Sequence, residues 1–100
     1  MVKHVIIWNL KAEFSDEEKL IIKQNAKQNL EALVGKIDGL VDLKIQTEFL
    51  STSTGEMMLD STFVDFDALR AYATHPLHQE AANRYVRPFT ASRSCVDFEI

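Results

Sequence analysis

The chain has 100 residues, which suffices for one hydrophobic core but not for two, because single domains typically span about 50–200 residues. Hydrophobic residues make up 46% and charged residues 26% of the chain, with only 3 glycines and 2 prolines, which excludes disordered and collagen-like proteins. The net charge is −4 and no two basic residues are adjacent, so nucleic acid is not an expected partner. We therefore predict one domain over residues 1–100.

The single cysteine, Cys95, cannot close an intramolecular disulfide, and a reducing compartment is therefore expected. Between Ser94 and Val96, its side chain is predicted to be a small, buried, apolar thiol. The amino terminus offers only four consecutive apolar residues, Val5 to Trp8, far fewer than a signal peptide or a membrane span requires. These features predict a cytoplasmic protein without a membrane partner.

The first strand and the first helix have clear signals. Residues Val2–Leu10 are apolar on both alternating sets, which predicts a strand covered on both faces. Ser15–Glu18 matches a capping box, in which the serine and the glutamate bond free backbone amides at the start of a helix. Gly35 suits the left-handed position that ends a helix. The core-facing stripe consists of Ile22, Ala26, Leu30, Leu33 and Ile37.

Two further strands are predicted to form an antiparallel hairpin. The pattern changes to strict alternation over Val41–Phe49, and a second strand runs over Met57–Asp65. The polar stretch Ser51–Glu56 between them has the composition of a hairpin loop.

The second helix is predicted to be broken. Asp65 can cap a short helix, while Pro76 disfavours helical geometry at His75 and suits the first position of a new helix that runs to about Phe89. We expect His75 to end the first piece and to cap the second. A last alternating strand covers Arg93–Ile100.

The order β-α-β-β-α-β is that of the ferredoxin-like α+β fold, a four-stranded antiparallel sheet with both helices on one face. The other face must be polar or covered, since a large apolar patch is rarely left to water. The doubly apolar first strand favours a homodimer that pairs through its sheet faces.

Three segments, Met1–Trp8, Ile37–Leu40 and Tyr72–His78, resemble the stress-responsive dimeric α/β-barrel (Dabb) family. The resemblance extends over nearly the whole chain. Its most specific part is the His-Pro-x-His sequence with a tyrosine three residues before the first histidine. The resemblance implies ferredoxin-like protomers whose sheets combine into a dimeric barrel.

The resemblance also implies candidate catalytic residues. A plant branch of the family contains polyketide cyclases that close rings by an aldol-type reaction without metal or cofactor. In that branch a histidine matching His78 is the general base and a tyrosine matching Tyr72 stabilises the substrate oxygen, while His4 matches the first-strand histidine. The chemistry is reasonable because imidazole titrates near neutral pH and a phenol can donate to an enolate oxygen. In this hypothesis His4 orients or relays.

Each of these residues also has a structural interpretation. Tyr72 continues a core stripe, His78 can be a surface residue, and His4 can be a hydrogen-bonded core histidine. Side chains that can line a ligand cavity or pack in the core are Trp8, Phe49, Met57, Phe63 and Tyr85. The arginines Arg84, Arg87 and Arg93 are interpreted as a solvated face.

No metal site is predicted, because His75, His78 and the distant His4 lack zinc-ligand spacing even with Glu80 added. No cofactor is expected either. The leading function is binding of a small, largely apolar, oxygenated molecule, and the resemblance implies a link to stress. The alternatives are a cofactor-free cyclase-like enzyme using His78 and Tyr72, a structural role in a higher assembly, and, more remotely, a monooxygenase-like barrel.

Overall fold

The computed structural model describes residues 1–100 and contains four strands and three helices. In chain order these are β1 (Val2–Leu10), α1 (Asp16–Glu31), β2 (Leu40–Gln46), β3 (Met57–Phe63), α2 (Phe66–Thr74), α3 (Pro76–Tyr85) and β4 (Thr90–Glu99). This order confirms the predicted β-α-β-β-α-β fold with a broken second helix. None of the helices combines the length and apolar composition needed to cross a membrane.

The strands form one antiparallel sheet in the order β2-β3-β1-β4, which is the ferredoxin-like arrangement. One alternating set of β1 is buried beneath the helices, and so is the matching set of β3. The strand pairing places His4 opposite Ser61 on β3 and opposite Asp97 on β4. The Ser61 hydroxyl is buried and donates to the His4 carbonyl oxygen at 2.7 Å, so that the centre of the sheet contains no unpaired hydroxyl there.

The caps predicted from the sequence are confirmed. Ser15 Oγ accepts from the Glu18 amide at 3.1 Å, and the Glu18 carboxylate accepts from the Ser15 amide at 2.9 Å. Asp65 accepts from the Ala68 amide at 2.8 Å and begins α2. His75 is the last cap of α2 and the first cap of α3, where its Nδ1 accepts from an amide at 3.1 Å.

Several element ends differ from the predicted ones. The helix α1 ends at Glu31, and the stripe residues Leu33 and Ile37 are buried in the turns that follow it. The strand β2 ends at Gln46 rather than Phe49, because its pairing with β3 stops there. The helix α3 ends at Tyr85, since the next residue has φ −124° and ψ −63°, outside the helical region.

The strand β4 lies at the edge of the sheet and the helices do not cover it, so that almost all of its side chains are exposed. On the side of the sheet away from the helices, β1 is only partly covered and Ile7 is 43% exposed. The single chain therefore covers one face of β1, and the predicted cover of its second face is not supplied within the chain.

Candidate functional site

A cavity of about 210 Å³ lies on the helix side of the sheet, beside the uncovered part of β4. Its floor is formed by His4, Ile6 and Trp8 of β1, and Tyr72 and His78 lie over that floor. For comparison, an apolar cavity of about 150 Å³ in another protein holds one benzene molecule. The space therefore suits a compound with one ring or a short chain.

The Tyr72 hydroxyl is a buried hydrogen-bond donor without a partner within the protein. Its side chain is 1% exposed and lies on the cavity side of α2. The ring packs edge-on against Phe63, with the ring centroids 4.9 Å apart, which fixes its position. Burial raises the pKa of Tyr72, so the phenol stays protonated and can only donate or accept as a neutral group. Such an unpaired group needs a polar partner from a ligand or from water.

His78 lies beside Tyr72, in the first turn of α3. Its ring centroid lies 4.2 Å from that of Tyr72, and its Nδ1 lies 3.2 Å from the Ala73 carbonyl oxygen. A carbonyl oxygen only accepts, so Nδ1 carries the proton and Nε2 is the basic nitrogen. Burial lowers the pKa of His78, and the nearby Arg87 lowers it further. The imidazole is therefore neutral at pH 7, as a general base must be.

His4 forms the floor of the cavity and is held by β4. It is 8% exposed, and its Nδ1 donates to Asp97 Oδ1 across 2.5 Å. The rings of His4 and Tyr72 meet edge-on with centroids 6.3 Å apart. The three predicted catalytic side chains thus line one cavity. The carboxylate beside His4 was not predicted, because only the pairing of the first and last strands reveals it.

The prediction that Cys95 is a buried apolar thiol is wrong. The side chain is exposed, because β4 is an edge strand whose helix side has no covering element. Its sulfur lies 3.6 Å from His4 Nδ1 and 3.6 Å from Asp97 Oδ1. Partial desolvation and the Asp97 carboxylate raise the pKa of the Cys95 thiol.

The five predicted ligand-contacting residues are distributed over the molecule. Trp8 lines the cavity. Met57 and Phe63 are completely buried in the core, where Phe63 supports Tyr72. Phe49 lies beside Ile7 and Met58 on the face of the sheet away from the helices, and Tyr85 lies in a groove between α1 and α3.

Other cavity residues were not singled out from the sequence. Leu69 and Ala73 lie on the Tyr72 side of α2, and Ala82 lies four residues after His78 on α3. Helical spacing identifies Leu69, three residues before Tyr72, and Ala82, four residues after His78, but it does not identify Ala73, which directly follows Tyr72. Arg87 and Arg93, interpreted as solvated, are exposed but also border the cavity, where they add positive charge at its mouth.

Comparison with solved structures gives a close match to a dimeric protein of unknown function with a ferredoxin-like fold from Bacteroides fragilis. The two share 32% identity with a TM-score of 0.90, over 99% of this chain and 95% of the other. Two enzymes share the fold at 14% identity. They are hydroxynitrile lyase from Passiflora edulis, with a TM-score of 0.77 over 99% of this chain and 92% of that one, and SnoaB, a cofactor-independent oxygenase from Streptomyces nogalater, with a TM-score of 0.74 over 99% and 91%.

A comparison with curated proteins finds no match. The sequence model described as the stress responsive A/B barrel domain, Dabb, matches residues 2–100, which includes every residue of the cavity. The chain therefore belongs to the stress responsive A/B barrel (Dabb) family.

Proposed function

We propose that this protein is a homodimer that binds a small, largely apolar molecule carrying at least one oxygen acceptor, in the cavity beneath Tyr72 and His78. The observation that carries this proposal is the Tyr72 hydroxyl, which is buried at the cavity and has no hydrogen-bond partner within the protein. A buried donor left unpaired costs about 1–3 kcal/mol, and a ligand oxygen would recover that cost.

The cavity walls define the rest of the ligand. Ile6, Trp8 and Leu69 give an apolar surface that favours a hydrocarbon ring or chain. Tyr72 and His78 bring a phenol and an imidazole together above the floor, whereas Arg87 and Arg93 lie at the mouth, so the ligand oxygen is proposed to lie beside Tyr72 and His78. We therefore propose acetophenone as the first probe, because it combines one ring with one carbonyl oxygen.

Acetophenone is expected to bind more tightly than ethylbenzene, which has nearly the same shape but no oxygen. The substitution Tyr72→Phe should remove this preference, weakening acetophenone binding by about 5- to 10-fold, as loss of a hydrogen bond worth about 1 kcal/mol predicts. It should leave ethylbenzene binding unchanged and should not destabilise the ligand-free protein, because it removes an unpaired donor. Calorimetric titration and thermal unfolding measure these effects.

The control for this experiment is Tyr85→Phe, which removes a phenol hydroxyl outside the cavity. It should preserve the preference for acetophenone. Equal binding of the two probes to the unaltered protein, or a preference that survives Tyr72→Phe, would contradict the proposed ligand contact.

A second candidate function is enolisation and ring closure of a poly-β-ketone. It is favoured by the Nδ1 bond of His78 to Ala73, which leaves Nε2 as a fixed, unprotonated base. In this reaction Nε2 takes a proton from the carbon between two carbonyl groups, and the electron pair moves onto an oxygen that Tyr72 stabilises by donation. The enolate carbon then forms the new carbon–carbon bond with a second carbonyl, and protonated His78 returns the proton to the resulting alkoxide. His4, fixed by Asp97, packs against Tyr72 and orients it.

Turnover of linear poly-β-ketone thioesters is expected to fall by about 10²- to 10⁴-fold in His78→Ala, the usual contribution of a general base. The rate should also fall as the pH decreases through the lowered pKa of His78, below its ordinary value of 6.5, because the base becomes protonated. Product formation measured by mass spectrometry across this range gives both results.

The matched control is His75→Asn, which removes a histidine outside the cavity and retains a good helix-capping side chain. It should react like the unaltered protein. If His78→Ala turned over these thioesters as fast as His75→Asn, His78 would not be the base.

The homodimer is proposed to form through the open face, defined as the side of the sheet away from the helices. Its apolar centre consists of Val5, Ile7, Met58, Val96 and Phe98. Lys3 and Asp60 on the same face form an ion pair at 2.6 Å, which lowers the cost of covering those two charges. The Bacteroides fragilis relative, described as dimeric, supports this assembly.

Light scattering is expected to give the mass of two chains for the unaltered protein and of one chain for Val96→Glu, because the new carboxylate would be buried without a partner. Leu20→Glu, which places the same charge on the exposed side of α1, should remain dimeric. A monomeric unaltered protein at micromolar concentration, or a dimeric Val96→Glu, would exclude an interface centred on the open face.

A further inference from the structure

Three metal-ligating side chains of different chemistry meet at one point on the edge of the sheet. The atoms are His4 Nδ1, Cys95 Sγ and Asp97 Oδ1, and all lie within 4.8 Å of one another. The histidine is buried, whereas the cysteine and the aspartate are exposed to solvent on β4. Imidazole, thiolate and carboxylate together form a donor set typical of zinc and similar divalent transition metals.

The fold determines this meeting through strand pairing. Cys95 and Asp97 are two residues apart on β4, so their side chains lie on the same side of the strand. Asp97 pairs with His4 across the sheet, and Cys95 pairs with Ile6, two residues further along β1. The three donors therefore belong to two paired strands and lie within the hydrogen-bonded register, which holds their backbone atoms in place.

The distances suit tetrahedral coordination. Zinc bonds of about 2.3 Å to sulfur and about 2.0–2.2 Å to nitrogen and oxygen would place sulfur about 3.6 Å from each of the other two ligands. In the structure the sulfur lies 3.6 Å from His4 Nδ1 and 3.6 Å from Asp97 Oδ1. The nitrogen and oxygen, 2.5 Å apart, would have to separate to about 3.3 Å. Because Asp97 is an exposed side chain on an edge strand, a rotamer change suffices. The imidazole would also change tautomer through solvent, so that its proton lies on Nε2 and Nδ1 is free to bond the metal.

We propose that His4, Cys95 and Asp97 bind one thiophilic divalent cation, with zinc as the representative ion and with one coordination position left for water or another ligand. The cation reaches the site from solvent along the exposed side of β4. Arg93, on the same side of the strand two residues before Cys95, opposes a cation. The Cys95 thiol releases its proton to solvent when the metal binds, so that the thiolate and the Asp97 carboxylate then contribute two negative charges beside it. His4 also lines the cavity, so the open position borders the ligand space.

The test uses the unaltered protein after treatment with a chelator, titrated with Co²⁺ and then with Zn²⁺. We expect one equivalent of cobalt to bind with the near-ultraviolet charge-transfer absorption of a cobalt–thiolate bond, and zinc to displace it. Cys95→Ser should abolish this absorption. Cys95→Ser and Asp97→Asn should each weaken zinc binding by more than about 10-fold, the smallest loss usual even for residues that only support a ligand.

Two control variants should bind zinc like the unaltered protein. Asp42→Asn removes an exposed carboxylate on the opposite edge strand, and His75→Asn removes a histidine outside the site. Absence of the thiolate absorption would overturn the proposal. So would zinc affinity that survives in both Asp97→Asn and His4→Gln, because the cysteine would then act alone. These readouts do not depend on ligand binding or catalysis in the cavity.

Discussion

Phe63→Ala is expected to lower the free energy of unfolding by about 3–5 kcal/mol, the usual cost of removing a large ring from a packed core. Phe63 is 0% exposed and lies at the end of β3, where it pairs with Val2 on one side and Leu40 on the other. Its ring also contacts Tyr72, so the variant should bind acetophenone more weakly as well as being less stable. Urea unfolding followed by circular dichroism, at one fixed protein concentration, measures the loss.

The control is Phe66→Ala, which removes the same ring from a position that is 54% exposed at the start of α2. Its effect should stay within about 0.5 kcal/mol, as is usual for surface substitutions. Similar losses for the two variants would contradict the central position of the Phe63 ring in the core.

Gly39→Ala is expected to destabilise the protein by about 2–4 kcal/mol, because a left-handed backbone costs other residues about 1–2 kcal/mol and overpacking adds a similar amount. Gly39 has φ +84°, and a Cβ atom built there would lie 2.5 Å from the Cβ atom of Ala68 in α2. The added methyl group would therefore force α2 away from the turn that precedes β2. Urea unfolding again measures the difference.

Gly35→Ala separates the two contributions. Gly35 has nearly the same φ, +88°, but a Cβ atom there would meet nothing within 4 Å. The free energy of unfolding of this variant should fall by only the conformational cost of about 1–2 kcal/mol. If Gly35→Ala were as destabilising as Gly39→Ala, the contact with α2 would contribute nothing.

Local signals predicted most of the fold. The caps at Ser15, Asp65 and His75 depend on side chains bonding amides two or three residues away, and such bonds can be read from a short window of sequence. The ends of β2 and α3 were less predictable. They depend on where a partner strand stops pairing and where the chain turns back toward the sheet, which are properties of the folded molecule.

The residues of the candidate site likewise fall into those that a short stretch of sequence identifies and those that only the folded structure identifies. Tyr72 and His78 were identified because they lie in one short segment that resembles a family motif, and the structure places both at one cavity. Asp97 and Cys95 were not associated with His4, because more than 90 residues separate them and only the pairing of β1 with β4 brings them together. The exposure of Cys95 depends on the edge position of β4, which alternation alone does not reveal.

Because α2 and α3 meet at His75, the number of residues between Tyr72 and His78 determines how their rings are oriented relative to each other. His75 alone ends α2 and begins α3, so no flexible linker separates the two helices. Because an α-helix turns by about 100° per residue, inserting or deleting one residue within either helix between Tyr72 and His78 would swing one ring away from the other. The ten residues between β2 and β3 impose no such constraint on these rings. Length variation in the hairpin loop therefore leaves the contact between the two rings intact, whereas length variation in the Tyr72–His78 segment separates them.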